Sequence, residues 1–417
     1  MEYGCIGERL GHSFSKEIHR ELADYEYEIR EVAREDLDAF MKAHDFRAIN
    51  VTIPYKEDVI PYLAHISDVA ASIGAVNTIV NRGGELYGYN TDFFGMSSLI
   101  KRAGISLSGK KVLILGTGGT SKTAAAVASS LGASETIRVS RTAKDGAVTY
   151  NDAYDKHSDA GVIINTTPCG MYPNADAAPV DLKRFSDLTG VIDAIYNPLR
   201  TKLYEQAVLL GIPAACGLFM LVAQAARACG IFLDKDIADS ETERVFSKLM
   251  WEKENIVFVG MPGVGKTTVG QAVAVSLGRR FVDTDDEITR IIGRTPEEII
   301  RMDGEAEFRK IESRVIANVI APLTSAVIAT GGGTVLAKEN VSRLKQNGRI
   351  VLLERPLDEI ASTSSRPLSS TRKLLEARYR ERMPVYAAVA DVRANASGSV
   401  EDVSAVLVNQ LKRMCGI

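Results

Sequence analysis

The sequence predicts an α/β protein built on parallel sheets, and two strand–glycine–helix units carry that prediction. In the later unit, Ile256-Val257-Phe258-Val259 reads as a buried parallel strand, and Val269 to Leu277 reads as a helix. Between them stands Gly260-Met261-Pro262-Gly263-Val264-Gly265-Lys266-Thr267-Thr268. This order fits the G-x-x-x-x-G-K-[ST] phosphate loop, in which backbone N–H groups and a helix N-terminus cradle phosphates. Lys266 then reaches the outer phosphates and Thr267 holds Mg²⁺. In the earlier unit, the strand Val112–Leu115 meets Gly116-Thr117-Gly118-Gly119-Thr120-Ser121, followed by an alanine-rich helix, Lys122 to Leu131. That is a Rossmann-type turn with Ser121 where a third glycine would fall. A phosphate-binding domain therefore begins near residue 253, and the residues before it form separate structure.

At 417 residues the chain has room for two or three domains. Apolar residues make up 46% and charged residues 25%, the range of soluble globular proteins. A formal charge of −3 gives no electrostatic reason to expect nucleic acid or an anionic membrane as partner. No apolar run approaches the ~18 residues of a membrane span, and Met1-Glu2-Tyr3-Gly4 lacks the regions of a signal peptide. The five cysteines are scattered and never in metal-ligand spacing, which suits free thiols in a reducing compartment. Only five histidines are present, which speaks against a histidine-based metal site. The expectation is a cytoplasmic enzyme.

The chain opens with a short strand, Tyr3–Gly7, and runs into Gly11-His12-Ser13-Phe14-Ser15-Lys16. Ser13 and Ser15 either cap a helix starting near Ser15 or present hydroxyls at its entrance; a cap leaves one hydroxyl free. Ile49, Val51 and Ile53 alternate as a strand that Pro54 ends. Lys56 thus sits just past a strand end, where open α/β sheets keep their ligands. Asn77 and Asp92 lie in polar stretches bracketed by strands, Gly74–Ile79 and Gly88–Asp92. An isolated Lys or Asp in such a place is more often a solvated loop charge; the combination points to a site.

After the glycine turn, the strand Thr136–Val139 ends in Ser140-Arg141-Thr142, with Lys144 close by. An NAD site wants an acid there for the ribose hydroxyl, whereas a hydroxyl and an arginine suit the 2′-phosphate of NADP. Strands at Gly161–Ile164, Gly190–Asp193 and Ile212–Ala214 follow. The first two end in loops, Asn165–Pro168 and Ala194–Pro198, placed to line a nicotinamide pocket. Two helices, around Phe219–Leu233 and Ser240–Trp251, close this half; Gln224 in the first is a core hydrogen-bonder or a ligand contact.

Taken together, these stretches resemble shikimate dehydrogenase across nearly all of residues 1–248. The carriers are Gly11-His12-Ser13-x-Ser15, Asn50-Val51-Thr52-Ile53-Pro54-x-Lys56, Gly74-Ala75-Val76-Asn77-Thr78 and Asn90-Thr91-Asp92-x-x-Gly95. The glycine turn, Ser140-Arg141-Thr142, Asn165-Thr166-Thr167-Pro168 and Gly217-x-x-Met220-Leu221-x-x-Gln224 complete them. The resemblance implies that Ser13, Ser15, Thr52, Asn77, Asp92 and Gln224 hold shikimate. It makes Lys56 and Asp92 the catalytic pair and places Tyr196 near the nicotinamide and the substrate. Gly116, Gly118, Gly119 and Thr120, with Ser140, Arg141, Thr142 and Lys144, fall to NADP(H). Hydride arriving at a C3 carbonyl leaves an alkoxide, which a lysine ammonium can stabilise and protonate while a carboxylate orients it.

In the second half, Arg280-Phe281-Val282 leads into Asp283-Thr284-Asp285-Asp286, acids that face the phosphate loop or serve as a helix N-terminal cluster. Gly304-Glu305-Ala306-Glu307-Phe308-Arg309 starts an amphipathic helix with Arg309 as a candidate anion clamp. Ala326–Ala329 is a strand running into Thr330-Gly331-Gly332-Gly333, whose glycines allow close approach to a ligand. The polar tract Ser362–Thr371 is a flexible linker or, with Arg366-Pro367-Leu368, a lid over the phosphates. With Arg382-x-Pro384-x-Tyr386, these features resemble shikimate kinase over about residues 254–417. The resemblance implies ATP and Mg²⁺, with Asp285 as base on the C3 hydroxyl and Arg309 and Arg382 clamping the carboxylate. It also implies that Gly331, Gly332 and Gly333 line the substrate, Asp283 orients the hydrated Mg²⁺ and Arg366 supplies lid charge.

The resulting expectation is a bifunctional shikimate-pathway enzyme, with oligomeric state open. Its domains are 1–106 with 217–252 for the substrate, 107–216 for NADP, and 253–417 for the kinase. NADPH reduces 3-dehydroshikimate to shikimate, and MgATP phosphorylates the same C3 oxygen. Two alternatives are a quinate preference in the first half and a non-catalytic nucleotide-binding module in the second.

Overall fold

The computed structural model describes residues 1–8, 10, 14–144, 146–360 and 372–417, the side chains at 372 and 374 excepted. The readings made for Ser13, Arg366 and the 362–371 tract lie outside the described residues. The chain divides into two compact units, Met1–Leu249 and Met250–Ile417.

The first unit holds two sheets. One contains Tyr3–Gly7 (β1), Tyr27–Glu31 (β2), Ala48–Val51 (β3), His65–Ile66 (β4), Thr78–Arg82 (β5) and Glu85–Tyr89 (β6), in the order β2-β1-β3-β5-β6-β4. β5 runs antiparallel to β3, with Asn50 opposite Thr78. The start of β5 therefore lies at the same edge as the end of β3. The other sheet holds Lys111–Leu115 (β7), Glu135–Ser140 (β8), Val148–Thr149 (β9), Val162–Asn165 (β10), Gly190–Asp193 (β11) and Ala214–Cys216 (β12). It is wholly parallel, in the order β12-β11-β10-β7-β8-β9. The order reverses at β7, so the Gly116 turn opens at the switch point, where such sheets bind ligands.

Two helices tie the sheets together. Thr91–Arg102 buries Met96, Leu99 and Ile100 against Val112 and Ile114 of the parallel sheet. Leu218–Leu233 contributes Phe219 and Met220 to that core and Ala228 and Phe232 to a second one, with Tyr3 and Tyr27. The helices approach so closely that a Cβ at Gly95 would stand 2.6 Å from the Met220 carbonyl oxygen.

The second unit carries one parallel sheet: Asn255–Val259 (β13), Arg280–Asp283 (β14), Ala326–Ala329 (β15), Gly348–Glu354 (β16) and Val392–Asn395 (β17), ordered β14-β15-β13-β16-β17. β13 is central and buried throughout, as its uninterrupted apolar run requires. Apolar side chains on one side of this sheet include Val257, Ile328 and Leu352, and those of the other core include Phe258, Val327 and Val351.

The structure departs from the sequence-based expectations in a few places. The strand expected through Ile53 ends at Val51, and Ile53 is 73% exposed. A turn follows, Tyr55 N–H donating to the Thr52 carbonyl at 3.0 Å, and Tyr55 takes the core position instead. Its hydroxyl donates to the Val32 carbonyl at 2.7 Å. Ser15 does not cap its helix. It is the first residue of Ser15–Leu22, and the cap position is Phe14, with no side-chain capping bond. The last strand of the second sheet is shifted to Ala214–Cys216 from the expected Ile212–Ala214. Gly95→Ala is expected to destabilise the first unit by about 1–3 kcal/mol through forced separation of the two tying helices, measurable by chemical denaturation.

Candidate active sites

In the first unit the turn after β3 delivers Lys56, and the second residue of the helix Thr91–Arg102 delivers Asp92. Asn90 caps that helix, its side chain accepting from Phe93 N–H at 3.2 Å. Lys56 Nζ lies 2.5 Å from Asp92 Oδ2, with the side chains 21% and 14% exposed. Such partial burial strengthens the attraction while leaving the ammonium reachable. Asn77 is buried beside them; its Oδ1 accepts from Thr91 N–H at 2.7 Å and Thr91 Oγ1 at 3.2 Å. Gln224 Oε1 lies 3.2 Å from Thr91 Oγ1, whose single proton it shares with Asn77 Oδ1, and its Nε2 donates to the Leu221 carbonyl at 3.0 Å. Asn77 and Gln224 thus meet at Thr91, the residue before Asp92, whose carboxylate holds Lys56. Thr52 is half-buried four residues before Lys56, its N–H donating to the Ile6 carbonyl at 2.9 Å. The Tyr196 ring is 5.6 Å from that of Phe14, the neighbour of Ser15. Glu57 meets Lys122 at 2.6 Å, linking the residue after Lys56 to the helix that leaves the glycine turn.

The glycine turn has room for a ligand. Gly116 has φ 112°, and a Cβ there would stand 2.8 Å from Thr166 Oγ1. A Cβ at Gly118 or Gly119 would meet nothing within 4 Å, and the helix Gly119–Ser130 starts there, with Thr120 in its first turn. Ser140 Oγ donates to the Thr142 carbonyl at 2.9 Å and accepts from Thr142 N–H at 3.3 Å. Arg141, Thr142 and Lys144 are exposed beyond the end of β8. Two cations and free backbone donors suit a phosphorylated dinucleotide.

Asp193 was not found by sequence reasoning. It ends β11, and no solvent reaches it. Oδ1 accepts from Asn165 Nδ2 at 3.0 Å and Ile195 N–H at 3.1 Å, and Oδ2 accepts from Thr201 Oγ1 at 2.7 Å. Burial pushes its carboxyl up to about 6 against these three donors. It clips together the two loops expected to line the nicotinamide pocket. The signal was an acid closing an apolar strand, which its neighbours in sequence do not distinguish from a loop charge.

In the second unit a cavity of about 450 Å³ opens at the ends of β13, β14 and β15. Gly260, Gly263 and Gly265 have φ of 143°, 86° and 106°, which side chains rarely adopt, and Val264 between them is buried. The helix Lys266–Leu277 begins at the loop, so its first N–H groups face the cavity occupied on one wall by Thr267 and Thr268. Lys266 Nζ donates to the Gly260 and Met261 carbonyls at 3.0 and 3.1 Å. Thr267 Oγ1 donates to Asp283 Oδ2 at 2.9 Å. Asp283 Oδ1 accepts from Asp285 N–H at 3.0 Å, so Asp283 both caps its helix and holds Thr267. Among the described residues no three His, Cys, Asp or Glu groups converge on a metal site. The Thr267–Asp283 pair suits a Mg²⁺ that keeps waters and phosphate oxygens as its other ligands.

Asp285 faces the same cavity with a buried Oδ1 that has no partner. Burial first, then Asp283 and Glu312, push its carboxyl up to about 6, against the pull of Lys266 and Arg309. Arg309 lies 2.7 Å from Glu312 and 3.0 Å from Glu305. Glu312 is fully buried and also accepts from Thr334 Oγ1 at 2.6 Å. A Cβ at Gly331 would stand 3.0 Å from Asp285 Oδ1, and one at Gly333 would collide with the Arg309 guanidinium. The Gly332 carbonyl accepts from Arg382 at 3.0 Å and from the Tyr386 hydroxyl.

The two arrangements define an oxidoreductase joined to a kinase. Residues 5–79 match the shikimate dehydrogenase substrate binding domain, and residues 262–412 match shikimate kinase. An NADP⁺-type shikimate dehydrogenase from Clostridium perfringens is 36% identical over 59% of this chain and 97% of its own length. The chain belongs to the shikimate dehydrogenase family and carries a shikimate kinase domain after it. Shikimate dehydrogenase 1 of Peptoclostridium difficile superposes with a TM-score of 0.55 at 36% identity, over 60% of this chain and 98% of that one. Shikimate 5-dehydrogenase of Thermus thermophilus, solved with NADP(H) and shikimate, gives 0.54 at 27% identity, over 60% and 99%. No helix among the described residues is long and apolar enough to cross a membrane. Asp193→Ala would leave three buried donors unpaired at about 1–3 kcal/mol each; a loss of roughly 3 kcal/mol or more in unfolding free energy is expected by denaturant titration.

Proposed function

We propose that this chain catalyses two consecutive steps, NADPH-dependent reduction of 3-dehydroshikimate to shikimate and MgATP-dependent phosphorylation of shikimate to shikimate 3-phosphate. The domains are assigned as residues 1–106 with 217–252 for the first substrate, 107–216 for NADP(H) and 253–417 for the kinase. What carries the reading is the contact between Lys56 and Asp92 in a unit that also holds the glycine turn, seconded by the unpartnered Asp285 carboxylate over the phosphate loop.

Gly116, Gly118, Gly119 and Thr120 would hold NADPH, with Ser140, Arg141, Thr142 and Lys144 for its 2′-phosphate, and the cofactor would supply the hydride to the C3 carbonyl. Lys56 Nζ, oriented by Asp92, stabilises the developing alkoxide and protonates it. Ser13, Ser15, Thr52, Asn77 and Gln224 hold the ring and its carboxylate, and Tyr196 closes the cofactor side. Asn77 and Gln224 have Thr91 between them, so both amides are held in place before any ligand arrives.

In the kinase half, the backbone of Gly260, Gly263, Val264 and Gly265, with Thr268, cradles the phosphates, and Lys266 exchanges its loop carbonyls for phosphate oxygens. Thr267 and Asp283 hold the hydrated Mg²⁺. Arg309 and Arg382 take the shikimate carboxylate, Gly331, Gly332 and Gly333 let the ring approach, and Arg366 lends charge to the transferring group. Asp285 accepts the C3 hydroxyl proton. Little covalent work is asked of the protein; positioning and charge neutralisation are.

Product analysis tests the reading. The parent chain given 3-dehydroshikimate, NADPH and MgATP should yield shikimate 3-phosphate. Lys56→Ala should cut the first step by about 10²–10⁴-fold while still phosphorylating added shikimate. Lys266→Ala should stop at shikimate. Shikimate alone from the parent would remove the kinase assignment, and no conversion would remove the dehydrogenase assignment. A second expectation concerns pH. Asp285 must be ionised to accept a proton, and its carboxyl titrates at about 6. Kinase kcat/KM should therefore fall about tenfold for each pH unit below that point and level off above it, as read by steady-state rates between acid and neutral pH.

A further inference from the structure

The kinase cavity holds one guanidinium more than the reading above employs. Arg378 stands one helical turn before Arg382 on the helix Arg372–Val389, and residues four apart share a helix face. Both line the cavity together with Arg309. The three differ in how they are neutralised. Arg309 is held by two carboxylates, Glu312 and Glu305. Arg382 is buried at 4% exposure, gives one N–H to the Gly332 carbonyl and has a buried Nε–H with no partner. Arg378 is half-buried and, among the described residues, makes no hydrogen bond or ion pair.

A buried donor without a partner and a second unpaired cation on the same face leave a site short of one anion. The charges around Arg378 say which end of the cavity this is. Those that weigh most on it are Arg382, Glu305, Glu381 and Arg309, the groups of the Arg309 wall. Burial and the Arg382 charge both weaken the hold of Arg378 on its proton, and an anion placed between the two would relieve that. A carboxylate can accept from two guanidiniums at once, because its two oxygens offer about four acceptor sites.

We propose that Arg378 joins Arg382 in gripping the acceptor's carboxylate, and that Arg378 makes this site select an acidic acceptor over its uncharged analogue. Arg309, once it loosens from Glu305 and Glu312, completes the clamp from the third side. The proposal rests on the kinase reading above for the identity of the acceptor.

The test measures binding of shikimate and of its primary carboxamide to the full-length chain with saturating MgADP, by calorimetry fitted to two sites, the first unit's site being common to the parent and the Arg378 variants and the affinities below being those of the second. The parent should prefer the acid by about tenfold or more, since hydrogen bonds to a charged group are worth at least that factor. Arg378→Gln should lose about tenfold for the acid and less than about twofold for the carboxamide, so that the preference collapses. Arg378→Lys should recover part of it. Unchanged affinities in Arg378→Gln, or equal losses for both ligands, would overturn the proposal. Turnover of shikimate by the parent is read separately. Its absence with the acid preference intact would sink the kinase reading and leave the role of Arg378 standing.

Discussion

Parallel strands deliver their carboxyl ends to one edge, and that constraint decides where this chain keeps its chemistry. β3 hands over Lys56, and β6, which runs the same way, hands over Asp92. β7 opens into the Gly116 turn, and β10 and β11 end in Asn165 and Asp193. In the second unit β13 leads to the phosphate loop, β14 to Asp283, and β15 to the three glycines. Beyond the last ladder hydrogen bond the backbone is free to turn, so donors and helix N-termini gather where ligands can reach them.

Gathering polar groups at one edge has an electrostatic cost, and the two halves meet it differently. The first unit has a close ion pair, Lys56 with Asp92, and an amide network fixed on Thr91. Its buried acid, Asp193, is satisfied by three donors and works through the loops it holds. The second unit crowds Asp283, Asp285 and Glu312 together, and the Asp285 carboxyl rises in response. Lys266, Thr267 and Arg309 are meanwhile engaged with protein partners. On the proposed reading, nucleotide and acceptor would exchange those bonds for their own, whereas Lys56 would keep its bond to Asp92.

Both sites were legible in sequence to the extent that local order encodes them. The phosphate loop and the Gly116 turn announce themselves because strand, glycines and helix must be consecutive to form a cradle. Lys56 and Asp92 stood out only through neighbouring motifs, since 35 intervening residues separate them and folding alone brings them to 2.5 Å. Asp193 was not legible, because its meaning lies in Asn165 and Thr201, which reach it through the fold. Arg378 was hidden in a helix rich in charge, where only the position of the cavity separates it from Arg380. Edge strand β2 was missed for a simpler reason: only Tyr27 of its five residues is buried, so no apolar alternation marks it. Ile53 continued the alternation of β3 but belongs to a turn, because Pro54 and the Thr52–Tyr55 bond redirect the chain.

The central claim is that the oxygen made by the first site is the one phosphorylated by the second. The most direct measurement supplies the full-length chain with 3-dehydroshikimate, MgATP and NADPH carrying deuterium at the transferring position, and follows products by mass spectrometry and NMR. The account predicts shikimate 3-phosphate with one deuterium on C3, the carbon that bears the phosphate. Deuterated shikimate that accumulates without phosphorylation, or phosphate on a carbon that carries no label, would contradict it.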